Sequence, residues 1–417
     1  MNSDSDTDSN FDLVVIGGGA AGFFAAITCT ELSEKPRRIL ILEKGSDVLQ
    51  KVKISGGGRC NVTHDCHDPR EFAKNYPRGQ KALPGPLHRW NAGDMIDWLE
   101  QRGIELKTEA DGRMFPITDS SQTIIDCFLG EARKHNIEIR CRTEVSEVTH
   151  DGSRFKIALK SDVTLASKNV LIATGGVRTP SGGNFAKSFG HSVEPAAPSL
   201  FTFKIRDPRL DGLAGISVPV GVARIPDLKL ENSGPILITH WGLSGPGILK
   251  LSSKVARDLQ SRNYQFRVQI SWTGNQSRAE ISDTFSAIRD SSGRQQIQSH
   301  SQFSIPGRLW KRLCEAAQID ASTKWGNVTK PQTAALIDQL ISSEFQVDGK
   351  SMNKDEFVTC GGITVKEVDF KTMQSRLQLG LYFAGEVLDI DGVTGGFNFQ
   401  SAWTTGRICG ESVAVKL

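Results

Sequence analysis

The chain lacks any apolar run that approaches the roughly 20 residues of a membrane-spanning helix, although 38% of its 417 residues are hydrophobic. It also lacks an excess of charge, since 50 Lys and Arg against 47 Asp and Glu leave a net charge of +3. So small a net charge gives no chain-wide argument for a nucleic-acid partner. The sequence therefore predicts a globular protein without a membrane segment, in two or three domains because one core rarely holds so many residues.

Paired cysteines are absent as well. The eight cysteines form no C-x-x-C pair and no repeated spacing, which in a long chain is typical of reduced, intracellular thiols. Residues 1–10 are polar and acidic and lack the apolar core of a signal peptide. These patterns predict a cytoplasmic protein.

Glycine is abundant, with 41 residues, and one cluster follows an apolar run. Residues 11–16 (FDLVVI) predict a buried strand that leads directly into the G-x-G-x-x-G of Gly17, Gly19 and Gly22. A predicted helix and a second apolar strand follow, and that strand ends at Glu43. This β-α-β unit matches the dinucleotide fingerprint, in which a helix N-terminus binds the pyrophosphate and the acid binds a ribose.

The residues around this unit favour FAD over other dinucleotides. An acid at Glu43 disfavours the 2′-phosphate of NADP. A predicted β-ribbon turns at Asp151-Gly152, and the next apolar strand ends in Thr174-Gly175. That order is the usual layout of FAD-binding oxidoreductases of the glutathione-reductase type.

A second glycine-rich turn near the C-terminus supports the same interpretation. Residues 380–384 (GLYFA) predict a strand that closes at Gly385-Glu386, and Gly395-Gly396 precede a predicted helix. The free amides of that helix N-terminus can meet the flavin pyrimidine edge, where negative charge gathers on reduction.

The stretch ISGGGRCNVTH, residues 54–64, admits two interpretations. In the first, Gly56 to Gly58 let the main chain lie against the cofactor, while Arg59 meets a phosphate or flavin carbonyl and Asn61 meets the ring edge. In the second, the stretch holds a metal through Cys60, His64, Cys66 and His67. Their spacing does not match the usual zinc patterns, so we predict no metal.

Seven blocks then occur in a fixed order: DLVVIGGGAAG, ISGGGRCNVT, DGRMFPITD, LIATGG, ITHWGLSGPGILKLS, VTCGGITVKEVD and LYFAGEVLDIDGVTGGFNFQSAWTTG. Together they resemble the BaiN/RdsA-type flavoproteins, also known as YhiN-like or aminoacetone-oxidase-like, from residue 11 to about 414. The chain departs from the family's pattern at residues 177–184, where relatives carry a longer, tyrosine-containing loop.

The resemblance implies a glutathione-reductase-type FAD-binding Rossmann domain with an inserted β-barrel-like domain and a small helical domain. The expected bounds are 11–195 and 356–417 for the FAD domain, 196–250 and 331–355 for the barrel, and 251–330 for the helical domain.

The resemblance also implies the cofactor contacts, which include the backbone of Val145 beside the adenine. The implied FAD-binding residues are Gly17, Gly19, Gly22, Glu43, Gly58, Arg59, Cys60, Asn61, Gly175, Glu386, Asp391, Gly396, Phe397 and Asn398. Their neighbours Ala20, Ala21, Lys44, Gly57, Thr174, Gly385 and Gly395 complete the predicted cofactor site.

Because a flavin carries the electron transfer, no side-chain nucleophile is required. The candidates for a catalytic role are His240, Cys60 and Arg113, each with a purely structural role as the alternative. We predict an FAD-dependent oxidoreductase that reduces an activated C=C bond in a small molecule, with NAD(P)H as a transient reductant. Implied alternatives are a ribosomal RNA dihydrouridine synthase, an amine-oxidising flavoenzyme and a non-catalytic flavin-binding protein.

Ribosomal RNA as a partner would need basic surfaces with aromatic residues. Two stretches offer them, and solvated faces are the alternative for each: Arg70, Lys74, Arg78, Lys81, His88, Arg89 and Trp90 in one, and Arg308, Trp310, Lys311 and Arg312 in the other.

Overall fold

The computed structural model describes residues 10–178, 180–351 and 358–416. The chain divides into two compact units, one that combines residues up to 197 with those from 357 onward and one formed by 198–356. The predicted boundary between 355 and 356 and the acidic segment 1–9 lie outside the described residues. No helix in the described ranges is both long and apolar enough to cross a membrane.

The described residues form twenty strands and thirteen α-helices, besides short 3-10 turns. The strands are β1 Asn10–Ile16, β2 Ile39–Leu42, β3 Thr63–His64, β4 Leu106–Thr108, β5 Arg113–Pro116, β6 Glu138–Arg140, β7 Val145–His150, β8 Phe155–Leu159, β9 Thr164–Ile172, β10 Val193–Ser199, β11 Phe203–Ile205, β12 Ser217–Ile225, β13 Leu230–Thr239, β14 Gly242–Ser244, β15 Gln265–Ser271, β16 Ser343–Lys350, β17 Val358–Ile363, β18 Val368–Asp369, β19 Gln374–Ser375 and β20 Leu381–Phe383. The helices are α1 Ala20–Leu32, α2 Gln50–Gly58, α3 Pro69–Ala73, α4 Pro84–Arg89, α5 Ala92–Glu100, α6 Ser121–Lys134, α7 Pro180–Ser188, α8 Pro246–Lys254, α9 Ala256–Ser261, α10 Arg278–Ser292, α11 Gly307–Ala316, α12 Lys330–Ile341 and α13 Phe397–Lys416.

The first unit is built on a sheet with the strand order β18-β19-β20-β9-β1-β2-β6, to which β8 and β7 add a ribbon beside β9. The four central strands β20, β9, β1 and β2 are parallel to one another. All four residues of β2 are buried, as expected for a parallel strand covered on both faces. The apolar runs of the sequence therefore supply the centre of this sheet.

Helices from the two chain ends pack directly against each other in this unit. Gly406 and Gly410 of α13 face the backbone of α1, because a Cβ built on them would lie 2.6 Å from Ala21 O and 2.5 Å from Ala25 O. Only glycine permits so close an approach. The C-terminal helix thus belongs to the same core as the N-terminal fingerprint.

The second unit contains a closed barrel with the order β11-β14-β13-β12-β15-β16. Helices α10 to α12 follow β15 and pack around buried Trp310 and Trp325. Strand β15 (QFRVQIS) lies within the predicted helical segment 251–330, and all of α12 except its first residue lies within the predicted barrel return 331–355. Strand β15 belongs to the barrel, because it pairs with both β12 and β16.

Candidate cofactor and active site

The carboxyl ends of four parallel strands bring the predicted cofactor residues to one edge of the sheet. At the end of β1, Val15 and Ile16 pair with Leu171-Ile172 of β9 on one side and with Ile41-Leu42 of β2 on the other. Tyr382-Phe383 of β20 pair with the same residues of β9. The turns that begin at Gly17, Glu43, Thr174 and Gly385 therefore lie side by side. This edge is where ligands bind in parallel α/β sheets.

The three glycines of the fingerprint differ in their surroundings. A Cβ on Gly17, whose φ is +114°, would lie 2.3 Å from Ala173 O, and a Cβ on Gly22 would lie 2.3 Å from Gly17 O. These two glycines permit close packing of strand, turn and helix. A Cβ on Gly19 meets no described atom within 4 Å, so open space lies over the N-terminus of α1. No side chain caps that N-terminus, which leaves its first amides for a phosphate.

Glu43 is held in place at the end of β2. Its Oε2 accepts a hydrogen bond from Gly18 N at 2.9 Å, and its Oε1 accepts one from Gly45 N at 2.7 Å. Each carboxylate oxygen has a second lone pair for a ribose hydroxyl. The backbone of Glu43 also accepts from Thr143 N at 2.8 Å, which brings the start of β7 with Val145 near Glu43. Lys44 beside it is exposed.

The three consecutive glycines adopt a backbone that other residues avoid. Gly56, Gly57 and Gly58 have φ values of 58°, 71° and 87°, so the helical turns of α2 end before them. No described atom lies within 4 Å of a Cβ built on Gly57 or Gly58. This bare loop has the form of a cradle for a ligand, as the first interpretation of the stretch predicts.

Arg59, predicted to meet a phosphate or flavin carbonyl, also has partners within the protein. Its Nη1 pairs with Glu109 at 2.6 Å, and its guanidinium lies 4.0 Å from the ring centre of Phe115. Arg113 Nη2 pairs with the same Glu109 at 2.7 Å and also contacts Asp111. Arg59 thus ties the glycine loop to the β4–β5 hairpin, whereas the ion pairs of Arg113 lie within that hairpin, and contact with Glu109 raises the pKa of Arg59.

Asn61 joins the glycine loop to the start of α13. With its amide oriented to satisfy both partners, Nδ2 donates to Thr63 O at 3.1 Å and Oδ1 accepts from Gly396 N at 2.9 Å. A Cβ on Gly396 would lie 2.4 Å from Thr63 O, and His64 Nδ1 donates to Gly395 O at 3.0 Å. Segments separated by more than 330 residues in the sequence therefore meet here, next to the predicted flavin.

Glu386 lies where the ends of β9 and β20 meet. Its Oε1 accepts from Thr359 N at 2.8 Å, and its Oε2 forms an ion pair with Lys51 Nζ. Gly385 has a φ of +76° and donates to Thr405 Oγ1 at 2.9 Å. Lys51, Thr359 and Thr405 were not among the predicted site residues, because their partners lie far away in the sequence.

The loop before α13 is fixed by a buried ion pair. Asp391 is fully buried, and both of its carboxylate oxygens are bound by Arg78. The Asn398 side chain closes the loop further, since its Oδ1 accepts from Gly392 N at 2.8 Å and its Nδ2 donates to Gly392 O at 2.9 Å. These side chains shape the loop that presents Gly395, Gly396 and the N-terminus of α13.

Two of the glycines near the end of β9 are also closely packed against neighbouring side chains. A Cβ on Gly182 would lie 2.0 Å from Thr174 Oγ1, and a Cβ on Gly176 would lie 3.3 Å from Glu386 Oε1. No described atom is within 4 Å of a Cβ on Gly175, whose φ is +75°. The departure from the family pattern at 177–184 overlaps α7; residue 179 lies outside the described residues.

The four residues of the metal interpretation serve other contacts. Cys66 donates to Asp68 O, His67 pairs with Asp65 at 3.1 Å, and the His64 ring lies 4.6 Å from that of Phe397. Within the described ranges, no three of the residues Cys60, His64, Cys66 and His67 bring their ligand atoms within 4.8 Å of one another.

Of the catalytic candidates, Cys60 is fully buried, and burial raises its pKa to about 12. His240 lies at the exposed turn between β13 and β14 in the second unit. Arg113 is engaged with Glu109 and Asp111, as described above. The geometry gives Cys60 and Arg113 structural contacts and leaves the His240 side chain accessible.

Cys60 is expected to be unreactive in the native protein, because a thiol with a pKa of about 12 stays protonated at neutral and mildly alkaline pH. We expect alkylation of Cys60 by iodoacetamide to be about 100-fold slower than that of half-buried Cys141, since it requires local opening. Mass-mapped labelling at increasing pH measures this difference. Rapid labelling of Cys60 that rises through pH 8 would show a reactive thiolate and contradict the structural role.

Comparison with known proteins agrees with this geometry. The model of the HI0933-like protein Rossmann domain matches residues 11–412. The chain belongs to this family. It is 33% identical over 416 residues to the ribosomal RNA dihydrouridine synthase of Escherichia coli strain K12, with 97% of this chain and 98% of the relative covered. It is 26% identical over 408 residues to a 3-dehydro-bile acid delta(4,6)-reductase of Clostridium scindens, with 96% and 98% covered.

The fold has a counterpart among solved structures. The open conformation of a flavocytochrome c3 fumarate reductase has a TM-score of 0.51 and 17% identity, covering all of this chain and 81% of that one. The predicted BaiN/RdsA-type family, the fold class and the assignment as a flavin-dependent oxidoreductase are confirmed by the family match and these relatives.

The residues at the sheet edge fit FAD. Open space over Gly19, Gly57, Gly58 and Gly175 leaves room for a ligand along the edge, and the uncapped N-terminus of α1 suits its pyrophosphate. The family supports FAD as the cofactor. Which individual residues contact it stays a prediction.

Proposed function

We propose that the chain reduces the C5=C6 bond of a uridine in ribosomal RNA, with NAD(P)H as the reductant. The observation that carries this proposal is the 33% identity, over 97% of the chain, to a relative named ribosomal RNA dihydrouridine synthase. The sequence alone favoured a small-molecule substrate, and this similarity is the reason for placing RNA first.

The proposed reaction follows from the electronic structure of uracil. C5=C6 is conjugated with the C4 carbonyl, so C6 accepts a hydride and C5 accepts a proton. Bound FAD supplies the hydride transfer from NAD(P)H to the ring. One NAD(P)H and one proton are consumed for each dihydrouridine and NAD(P)⁺ formed. The sequence carries one dinucleotide fingerprint, so NAD(P)H acts as a transient reductant.

The chain's own residues bind and tune the cofactor in this proposal. The amides at the start of α1 hold the pyrophosphate, and Glu43 holds the adenosine ribose. Gly395 and Gly396 keep side chains away from the N-terminus of α13, whose positive dipole end stabilises negative charge on the pyrimidine edge of the flavin.

A small molecule with an enone is the second candidate. It is favoured by the similarity to the bile acid reductase, at 26% identity over 96% of the chain. Hydride addition to the carbon β to a carbonyl is the same chemistry in both substrates. A direct measurement on RNA separates the two.

Ribosomal RNA from a strain that lacks this gene is expected to lose one dihydrouridine, because the proposed enzyme is its source. Mass mapping of nuclease fragments detects the change, since each reduced uridine is heavier by two hydrogen atoms. The wild-type gene should restore the fragment mass.

A gene that carries Gly19→Asp serves as the matched control, because the substitution is directed at FAD binding alone. The Gly19→Asp gene should not restore the mass of the RNA fragment. Unchanged dihydrouridine content in the deletion strain would rule out RNA as the substrate; NAD(P)H oxidation by the purified protein with enone substrates then tests the second candidate.

A further inference from the structure

The second unit presents one exposed tryptophan on a rigid turn. Trp241 has a relative exposure of 55%, whereas each of the other six tryptophans is buried or half-buried. Thr239 Oγ1 accepts from Trp241 N and donates to Gly242 O, both at 3.2 Å. Gly242 has a φ of +138°, and a Cβ there would lie 2.3 Å from Phe203 O. The turn is therefore fixed, and it holds an indole in solvent at a cost in hydrophobic free energy.

Two cations flank this turn on the neighbouring strand. Ile205 N donates to Trp241 O at 2.9 Å, and Arg206 is the residue after Ile205. Lys204 pairs across from Gly242. Among the described residues neither Lys204 nor Arg206 forms an ion pair, and Arg206 is exposed. Both charges are thus available to an anionic ligand.

Helix α11 adds three further cations on one face. Arg308, Lys311 and Arg312 have the spacing i, i+3 and i+4, which places them together on a helix surface. The opposite face buries Leu309, Trp310, Leu313 and Cys314. Arg312 pairs with Glu315 at 3.2 Å, while Lys311 has no ion pair within the described part of the chain.

The helix and the turn are joined by a short, hydrogen-bonded segment. Arg308 donates to Gly212 O, and Arg312 donates to Asp211 O at 3.4 Å. Gly215 N then donates to Ile238 O at 2.9 Å, one residue before Thr239 at the turn. We call the part of the second unit that carries this turn and helix the barrel-rim surface; it consists of Lys204, Arg206, Trp241, Arg308, Lys311 and Arg312.

We propose that the barrel-rim surface binds a single-stranded segment of RNA, with a base stacked on Trp241 and phosphates on the cations. This inference rests on the proposed function, because an enzyme that reduces a uridine in ribosomal RNA needs a surface that binds RNA. Single-stranded nucleic acids are bound by this combination of an aromatic platform and a positive track along the backbone. The exposed Asp211 and the paired Glu315 leave the surface with an excess of positive charge.

Trp241→Ala is expected to weaken binding of a short uridine-rich single-stranded RNA by about tenfold or more, because the stacking platform is removed. Trp241→Phe should retain most of the affinity. The double variant Arg206→Glu with Lys311→Glu should make affinity less dependent on salt. The negative slope of log affinity against log salt concentration should become less steep by about 1.4, since each phosphate contact on a single strand contributes about 0.7. Fluorescence anisotropy of the labelled RNA with the full-length, FAD-loaded protein measures both effects.

Lys229→Glu is the control for charge. Lys229 lies at the opposite end of the ten-residue strand β13 from Trp241, roughly 30 Å away at the usual strand rise. The Lys229→Glu variant should leave the RNA affinity and its dependence on salt unchanged. In all variants the flavin absorbance and the rate of flavin reduction by NAD(P)H should equal those of the wild type, which excludes misfolding as the cause.

Formation of dihydrouridine in a ribosomal RNA fragment separates this inference from the proposed function. If the wild type forms dihydrouridine and the Trp241 and charge variants raise KM for RNA, both stand. If the variants bind and react like the wild type, the barrel-rim surface is refuted and the function is kept. If the wild type forms no dihydrouridine, the function fails, and loss of oligonucleotide binding in Trp241→Ala still decides for or against the surface.

Discussion

Gly19→Asp is expected to weaken FAD binding by about 100-fold or more while the protein stays folded. The N-cap residue Gly19 has φ −94° and ψ −174°, an extended backbone open to any residue, and its Cβ would meet no described atom within 4 Å. Aspartate is itself a favourable N-cap. At roughly 4 Å, two negative charges repel by about 4 kcal/mol at an effective dielectric constant near 20, and the new side chain competes for the helix amides. Titration of the apoprotein with FAD, followed by flavin fluorescence, measures the loss.

Gly19→Asn is the matched control for this substitution. Asparagine has nearly the same size and caps helices equally well but carries no charge. We expect it to weaken FAD binding much less than aspartate does. Equal affinity of wild type and Gly19→Asp would place the pyrophosphate elsewhere.

Arg78→Met is expected to lower the free energy of unfolding by about 3–5 kcal/mol, because it leaves a buried carboxylate without its counter-charge. The Asp391 side chain has no exposure and that of Arg78 has 13%. The loop from Asp391 to Gly396 should also shift, so flavin affinity falls together with stability. Urea unfolding followed by circular dichroism measures the first effect, and FAD titration measures the second.

Lys74→Met provides the comparison, because Lys74 pairs with Glu71 on the surface, with both side chains about 60% exposed. Exposed pairs of this kind contribute roughly 0–1 kcal/mol. The double variant Arg78→Met with Asp391→Leu should recover much of the lost stability, since it removes the unpaired charge. An Arg78→Met protein as stable as the Lys74→Met protein would show that the buried pair contributes little.

The parts of the fold encoded by neighbouring residues were predictable from the sequence. The strand, glycine turn and helix of the fingerprint occupy residues 10–32, in the predicted order, although the helix extends beyond its predicted span at both ends. Strand β15 was harder to predict from the sequence. Its alternation is visible in QFRVQIS, but helices flank it on both sides, and only pairing with β12 and β16 places it in the barrel.

The parts of the site that depend on distant partners were not predictable. The sequence did not show that the Arg59 guanidinium contacts Glu109 and Phe115, about 50 residues away. Arg78 was grouped with a basic surface stretch, although its partner Asp391 lies 313 residues further on. Local patterns reveal a charge but not the residue that neutralises it. Trp310 shows the same limit for aromatic residues, since it is buried and donates to Ile297 O.

The central claim is that glycine-rich turns from both ends of the chain bind one FAD. Its most direct test is the quantity of FAD bound by the purified full-length protein after incubation with excess cofactor and gel filtration. The account predicts one FAD per chain, with a yellow colour that NAD(P)H bleaches under anaerobic conditions. A colourless protein that takes up no FAD would contradict it.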